Sequence, residues 1–230
     1  MKLNISIGVM TSINLKERYN ACKNTWAVDF ENIYFLGGNL SNEDDLVKID
    51  GAGEDWNSAF LKQQLGLKYL FEKNENSDWY CIVGCDNVLF EANLSSYLES
   101  YDPKSDIIFC EIYGGPDGIA SINGFKFRSL AGGGGIILSN SLMRKIYPLI
   151  DEFNIEWNNL SKNGQLHANC YGCGDIAMAY MTKKYFNLDL SHVDGMYSQP
   201  PHAYTNIVKK PISFHYISPH EMDEIYKKYK

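Results

Sequence analysis

The chain has 230 residues, of which 45% are hydrophobic and 21% are charged, which is enough to build the core of one large domain. Its formal net charge is −7, so we do not expect a general nucleic-acid-binding protein, and an anionic ligand must be held by local groups. Neither the first ten residues nor any later segment is apolar and long enough for a signal peptide or a membrane span, so we predict a soluble, cytoplasmic protein.

The first half of the chain alternates between strand-like and helix-like hydrophobic patterns. Residues 5–10 are a β-branched apolar run, and residues 56–72 carry apolar residues at helical spacing. Residues 79–83 form another buried run, and Asp86 follows its carboxyl end. The patterns predict strands at 5–10, 32–36, 46–50, 79–83 and 106–113, and helices at 15–27, 56–72 and 94–99.

The second half of the chain has fewer regular patterns. Four glycines precede an apolar run within residues 131–146, where Ser139 or Asn140 can cap a helix that starts at Ser141. We expect a turn-rich loop at 114–124 and irregular structure at 151–172. The remaining predicted elements are a helix at 175–185, a short strand at 213–216 and a final helix that starts near Pro219.

Alternating strands and helices predict an α/β fold with a mostly parallel central sheet flanked by helices. No linker or repeat divides the sequence, so we expect a single domain over residues 1–230. Ligands of such sheets bind beyond the carboxyl ends of the strands. Asp86 therefore lies where a ligand site is expected.

The cysteines are predicted to be reduced, because most lie in apolar runs and no export signal is present. Cys170 and Cys173 have the spacing of a redox or zinc motif, and His167 lies nearby. A second pair of cysteines is missing, so two free thiols are favoured over a zinc site. The six cysteines are Cys22, Cys81, Cys85, Cys110, Cys170 and Cys173.

Three polar residues are candidates for chemistry. Asp86 follows a buried strand, Asp175 opens a helix after a glycine-rich bend, and His215 lies between aromatic residues of a late strand. Taken singly, each has an ordinary structural role: a turn residue, a helix cap or a buried histidine. Only their joint arrangement favours a functional site.

Five segments, in the same order, resemble those of the Fringe and core-one (T-synthase) β-1,3-glycosyltransferases. The longest, residues 55–103, is similar to the donor-binding half of that family. The other four are shorter, and the resemblance as a whole spans most of the chain. Arg18 with Thr25-Trp26 resembles an early element of the family, and LAGGGGIILS at 130–139 is similar to its Gly-Gly-Ala-Gly-Tyr-Val-Leu-Ser segment. Gly174-Asp175-Ile176 falls where the family has an acidic pair followed by an aliphatic residue, and Ser213-Phe214-His215-Tyr216 matches its late Ser-Phe-His-Tyr element.

The resemblance implies a GT-A fold and an inverting transfer of a sugar from a UDP-sugar to a saccharide acceptor. Residues 1–110 would form the nucleotide-sugar-binding half and residues 111–230 the acceptor-binding half. UDP-galactose and UDP-N-acetylglucosamine are the donors of the two branches it resembles. The acceptor pocket is expected in the loops at 114–128 and 151–172.

The resemblance also implies a metal site. The acidic triplet of the family falls on Gly84, Cys85 and Asp86, of which only Asp86 is an acid. Asp86 and His215 would bind Mn²⁺ or Mg²⁺ with the diphosphate of the donor, and a carboxylate with one imidazole suits such an ion. Gly84 has no side chain with which to contact the nucleotide, and the Cys85 thiol is a poor ligand for these ions.

Asp175 corresponds to the family's general base, which takes a proton from the acceptor hydroxyl. Lys62, in the helix before the donor strand, either faces phosphate or is a solvated helix residue, and Arg18 is expected to shape the nucleotide pocket. The sequence around Gly133 and Gly134 does not match the GxxxxGK(S/T) or GxGxxG pattern of a phosphate-binding loop. By the resemblance, they let the backbone approach the sugar or the acceptor closely.

The incomplete acidic triplet leaves a second hypothesis open. The chain would then be a catalytically inactive GT-A-fold protein that binds a carbohydrate or a nucleotide. Manganese-dependent UDP binding with slow release of sugar would favour the enzyme. The oligomeric state does not follow from the sequence.

Overall fold

The computed structural model describes residues 2–40, 46–114, 118–166 and 170–230. The strands are β1 (Ile5–Met10), β2 (Asn32–Gly37), β3 (Val47–Lys48), β4 (Trp79–Gly84), β5 (Val88–Leu89), β6 (Ile108–Ile112), β7 (Ile119–Ile122), β8 (Phe125–Arg128), β9 (Leu130–Ser139), β10 (Ser191–His192), β11 (Met196–Tyr197) and β12 (Ser213–Phe214). The α-helices are α1 (Lys16–Asn24), α2 (Ala59–Lys73), α3 (Glu91–Leu98), α4 (Asn140–Ile146), α5 (Ile150–Lys162), α6 (Gly174–Phe186) and α7 (Pro219–Tyr229).

Within these described ranges, the central sheet has seven strands in the order β10-β6-β9-β4-β1-β2-β3. Only β9 runs antiparallel to its neighbours, β4 and β6. The sequence-based prediction of an α/β fold with a mostly parallel sheet is confirmed. Because β9 comes from the second half of the chain, both halves contribute to one sheet, and their division into donor and acceptor roles stays a prediction.

Side chains of the sheet alternate between two hydrophobic cores. In β4, Tyr80 and Ile82 pack with α2, α4, α5 and α6, whereas Cys81 and Val83 pack with α1, α3 and α7. This is the period of two that a strand imposes, and it explains why the strand is apolar on both faces. The result is a three-layer arrangement that leaves the strand ends as the accessible edge of the sheet.

A small second sheet joins distant parts of the chain. Its order is β11-β12-β5, and β12 pairs antiparallel with β5, with Phe214 opposite Val88. Beyond this pairing, the Ile217 N–H donates to the Asp86 carbonyl oxygen at 2.9 Å. The residues just before β5 and just after β12 are thereby held side by side.

Most predicted elements are present with shifted ends. The early helix ends at Asn24 and continues after Thr25 as a 3₁₀ turn, Trp26–Asp29. The third helix spans Glu91–Leu98, and Ser139 caps α4 by accepting the Leu142 N–H. The final helix starts at Pro219, as predicted.

Two sequence-based predictions are wrong. Residues 151–172, expected to be irregular, contain most of α5, whose buried residues Ile150, Phe153, Trp157 and Leu160 follow helical spacing. The loop expected at 114–124 contains β7, which pairs with β8 across a two-residue turn. Asn123 and Gly124 both have positive φ there, which is the Asn-Gly signature of a hairpin.

None of the helices in the described ranges is long and apolar enough to cross a membrane.

Trp157 should be among the most important core residues of α5. Its side chain is fully buried against Phe60, and its Nε1 donates to the Tyr171 carbonyl oxygen at 3.0 Å. We expect Trp157→Ala to lower the free energy of unfolding by about 3–5 kcal/mol through the cavity it leaves. Urea unfolding followed by circular dichroism measures this change.

The control is Ile155→Ala on the same helix, where the side chain is 65% exposed. It should change the free energy of unfolding by less than about 0.5 kcal/mol. A Trp157→Ala effect as small as that of the control would contradict the packing role.

Candidate active site

A cavity of about 450 Å³ opens at the carboxyl ends of β1 and β4. Met10 ends β1 and Gly84 ends β4, and both line the cavity. The start of α2 and the preceding 3₁₀ turn, Trp56–Ser58, contribute another part of its wall. A ligand site at this edge is the expected position for a parallel α/β sheet.

Asp86 lies in this cavity between two partners from distant parts of the chain. Its Oδ2 accepts from Arg18 Nη1 at 3.2 Å, and its Oδ1 is 3.3 Å from His215 Nε2. The Asp86 and His215 side chains are each 16% exposed. Burial alone would raise the pKa of the Asp86 carboxyl, but His215 and Arg18 outweigh it, and this pKa lies below its ordinary value.

The other ring nitrogen of His215 fixes its tautomer. Nδ1 is 3.2 Å from the Ser198 carbonyl oxygen, which can only accept a hydrogen bond, so Nδ1 carries the proton. In the neutral ring, Nε2 then directs a lone pair toward the Asp86 carboxylate. Two electron-pair donors 3.3 Å apart repel each other, and a bound cation would relieve that repulsion.

The ligand atoms of Asp86 and His215 fit a divalent cation. Two neighbouring ligands of an octahedral ion, each about 2.1 Å from it, lie about 3 Å apart. A histidine whose Nδ1–H donates to a backbone carbonyl is the usual arrangement around bound metals. Among the residues with described positions, no group of three or more His, Cys, Asp or Glu residues is close enough to hold an ion.

Lys62 lines the same cavity but is not a solvated helix residue, which was one of the two sequence-based expectations. Its Nζ donates to the Thr11 carbonyl oxygen at 2.7 Å and lies 3.6 Å from Glu54 Oε2. Both side chains are less than a tenth exposed. Burial lowers the pKa of Lys62, and Glu54 partly offsets this effect. Lys62 is therefore a buried, paired cation at the cavity wall.

Gly84 and Cys85 also line the cavity, in different ways. A Cβ at Gly84 would lie 2.7 Å from Asp86 Oδ1, so an acid at position 84 has no room in this arrangement. Cys85 is only 3% exposed and belongs to the hydrophobic core, and burial raises the pKa of its thiol. A protonated, buried thiol is a packing residue rather than a metal ligand.

Asp175 lies in a second cavity, of about 290 Å³. It is in the first turn of α6 but does not cap the helix, because Cys173 occupies the cap position. Its Oδ2 accepts from the Gly132 N–H at 3.3 Å, and its Oδ1 accepts from the Ile176 N–H at 2.8 Å. Two backbone groups thus fix the direction of this carboxylate.

The four glycines of β9 form a bulge against β6. Residues 136–138 pair with 108–110, and residues 130–131 pair with 111–112, so the glycines 132–135 have no partner in β6. A Cβ at Gly133 would lie 2.4 Å from His215 Nδ1, and one at Gly132 would lie 2.7 Å from Asp175 Cβ. The bulge therefore leaves space for the Asp175 and His215 side chains. This space explains the glycines at 132 and 133 more directly than the sugar contact that the sequence led us to expect.

Gly134 has a different neighbour from Gly133. Its Cα faces the backbone of β11, where a Cβ would lie 3.1 Å from the Tyr197 nitrogen. The Gly134 carbonyl oxygen accepts from the Ser213 hydroxyl group. Gly134 thus packs against β11 and β12, and its contact with a ligand stays a prediction.

His215 and Tyr216 line both cavities. The two rings lie against each other with centroids 3.9 Å apart. Tyr216 has a φ of 57°, which is rare for a large side chain and characteristic of functional sites. The junction of the cavities is therefore built from these two consecutive residues.

Several site residues were missed from the sequence. Ser198 has no local signal, because its role comes from its carbonyl oxygen. Gln63 was hidden in a helical pattern, yet its amide donates to the Gly174 carbonyl oxygen and fills the space where a Cβ at Gly174 would lie. Tyr216 is the last residue of the Ser-Phe-His-Tyr segment, but nothing in the sequence indicates that it lies where the two cavities meet.

The loops expected to hold the acceptor contribute little to the second cavity. Among the described residues, its wall comes from Tyr113, 129–133, 175–176 and 198–199, together with the shared pair. Parts of the expected loops, residues 115–117 and 167–169, lie outside the described residues. The same is true of His167, so of the three residues in the zinc hypothesis the structure describes only Cys170 and Cys173, which are partly buried and not joined by a disulfide.

The chain resembles known proteins in sequence and in structure. The sequence profile of the Fringe-like family matches residues 2–228. Among curated protein sequences, none matches the chain significantly.

Solved structures show the same fold. One is a glycosyltransferase involved in the glycosylation of the major capsid of PBCV-1, with 14% identity, a TM-score of 0.52, and coverage of 97% of this chain and 99% of that one. The galactosyltransferase LgtC, in complex with donor and acceptor sugar analogues, has 13% identity, a TM-score of 0.57, and coverage of 98% and 96%. The glycosyltransferase GlyE of Streptococcus pneumoniae TIGR4 has 14% identity, a TM-score of 0.58, and coverage of 97% and 60%.

The family profile covers nearly the whole chain, and the solved structures named above each match 97% or more of it. The chain belongs to the Fringe-like family and has the GT-A glycosyltransferase fold.

Proposed function

We propose that the protein is an inverting glycosyltransferase that moves galactose or N-acetylglucosamine from a UDP-sugar to a hydroxyl group of a glycan or glycoconjugate. The observation that carries the proposal is the junction of two cavities at His215 and Tyr216. One cavity contains a carboxylate and an imidazole suited to a metal-bound diphosphate. The other contains a carboxylate suited to a general base.

The larger cavity is the donor site in this proposal. It lies at the strand ends where the fold binds ligands, and it has room for a nucleotide. Arg18 and Lys62 are the cations at its wall, and each is close to a carboxylate. The donor's uridine diphosphate would enter with its phosphates toward Asp86 and His215.

Asp86 and His215 are the residues that would hold Mn²⁺ or Mg²⁺. The ion would neutralise the charge that develops on the diphosphate as it leaves. His215 is prepared for this role because the Ser198 carbonyl oxygen holds its proton on Nδ1 and leaves Nε2 as a ligand.

Asp175 is the general base in this proposal. Its carboxylate takes the proton of the acceptor hydroxyl while that oxygen forms a bond to the anomeric carbon and the bond from this carbon to the diphosphate oxygen breaks. Inversion requires the acceptor to approach from the face opposite the leaving group. A base in one cavity and a diphosphate site in the other satisfy this requirement, and Gly132 and Ile176 keep the carboxylate directed.

The donor sugar, the saccharide acceptor and the cytoplasmic location stay predictions from the sequence. A second candidate is a GT-A-fold protein that binds a nucleotide or carbohydrate without turnover. The observation that favours it is the ion pair of Asp86 with Arg18, which already satisfies part of the carboxylate. The experiments below separate the two candidates.

Asp175→Asn should abolish sugar transfer while the protein still binds UDP-sugar. The amide has the same shape but cannot accept the proton, and loss of a positioned base costs about 10²–10⁴-fold in rate. Turnover is measured as UDP release from UDP-galactose and UDP-N-acetylglucosamine, and donor binding is measured by calorimetry.

Asp151→Asn is the matched control, because Asp151 is also in the first turn of a helix but is exposed and pairs with Lys68. It should leave the rate of UDP release unchanged. Full activity of Asp175→Asn would remove Asp175 from the role of base.

Mn²⁺ should tighten the binding of UDP, and Asp86→Asn or His215→Gln should remove that gain. We expect each substitution to weaken manganese-dependent UDP binding by at least about 10-fold, because each removes one of two protein ligands. Calorimetric titration of UDP with and without Mn²⁺ measures the difference.

The control pair is His192 and Asp194, whose nearest side-chain atoms are also 3.3 Å apart but exposed. His192→Gln should leave UDP binding unchanged. An affinity for UDP that does not change on addition of Mn²⁺ would contradict the metal site. Saccharide binding without UDP binding would favour the second candidate.

A further inference from the structure

Glu111 lies outside the two cavities, at the bulge where the register between β6 and β9 shifts. Bulges next to active sites commonly redirect a side chain. Here the Glu111 carboxylate is half-buried and directed at the segment that follows β11. Its Oε2 accepts from the Ser198 N–H at 2.6 Å, a short, charge-assisted hydrogen bond.

Tyr204 strengthens this contact. Its hydroxyl group is 3.5 Å from Glu111 Oε1, to which it donates, and it accepts from the Gln199 N–H at 3.1 Å. Residues 198 and 199 lie between the two-residue strand β11 and a short 3₁₀ turn, Pro201–Ala203. Their position therefore depends on these side-chain hydrogen bonds more than on a backbone ladder.

The Ser198 carbonyl oxygen is the group that accepts from His215 Nδ1. A continuous series of contacts therefore runs from Glu111 through Ser198 to His215, and from His215 Nε2 to Asp86. If the Ser198 carbonyl oxygen moved, the His215 ring would lose the acceptor that selects its tautomer. The lone pair of Nε2 would then no longer be directed at Asp86.

We propose that Glu111 is a positioning residue that holds Ser198 in place and thereby sets the tautomer and direction of the His215 ring. It does not touch the nucleotide or the acceptor. The tautomer part is independent of the proposed function, whereas the metal part rests on it.

The test compares Glu111→Gln with Glu111→Leu. The Gln side chain keeps an acceptor oxygen at the same reach, whereas Leu has none. The first readout is the ¹⁵N spectrum of the His215 ring without metal, at a pH about two units above the ordinary imidazole pKa of about 6.5, with His215→Gln used to assign the signals. We expect the Nδ1–H tautomer in the wild type and in Glu111→Gln, and a mixture in Glu111→Leu.

The second readout is the affinity for Mn²⁺ in the presence of UDP, measured from the electron paramagnetic resonance signal of free Mn²⁺. Loss of a group that orients a metal-binding histidine costs about 10–100-fold in metal affinity, so we expect that loss for Glu111→Leu and less than about 3-fold for Glu111→Gln. Glu72→Leu is the control, because Glu72 also accepts from a tyrosine hydroxyl, Tyr147, but lies outside both cavities.

An unchanged tautomer together with an unchanged Mn²⁺ affinity in Glu111→Leu would overturn the proposal. If that variant does not fold, Glu111→Asp serves instead, because it keeps the charge but is one methylene too short, and the same outcomes decide. Absence of UDP and Mn²⁺ binding in the wild type would refute the proposed function, and the ring spectrum would still decide the role of Glu111.

Discussion

The pairing of β5 with β12 is the contact on which the candidate site depends. Each strand has two residues, yet their antiparallel register places the two residues before β5 beside the two residues after β12. Asp86 and His215 are brought together in this way, and the Ile217 N–H closes the arrangement on the Asp86 carbonyl oxygen. Phe214 and Val88, both fully buried, anchor the pair in the core. Because the site is held by a buried pairing rather than by a loop, its two ligand atoms keep a defined separation.

The second constraint is the presence of glycine at positions where a side chain would collide with a candidate site residue. The glycine bulge in β9 has room for Asp175 and His215 only because Gly132 and Gly133 lack a Cβ. Beside Gly84 and Gly174, the space that a Cβ would need is taken by Asp86 and by the Gln63 amide. The amide of Gln63 links α2 to the start of α6 and so supports the turn that carries Asp175.

The sequence could predict which edge of the sheet holds a ligand. Hydrophobic periodicity shows where each strand ends, and ligands of parallel sheets bind beyond the carboxyl ends of the strands. It placed Asp86 beyond β4 for that reason. It could not place His215 beside Asp86 without the family resemblance, since a two-residue pairing between distant segments leaves no local pattern. The wrong predictions at α5 and at the β7–β8 hairpin were avoidable, because the sequence contains apolar residues at helical spacing in α5 and an Asn-Gly pair at the turn. The role of Ser198 was not, because any residue supplies a carbonyl oxygen.

The charges of the larger cavity bear on whether a metal is needed. Lys62 is paired with Glu54, and Arg18 is paired with Asp86, so these charges largely cancel. A diphosphate would therefore enter a site with little surplus positive charge, in a protein whose net charge is −7. Releasing Lys62 from Glu54 would break a buried ion pair, which costs several kcal/mol. In the proposed function, a divalent cation on Asp86 and His215 would supply the missing charge without breaking either pair, and this is a physical reason to expect that a single acid suffices for a metal.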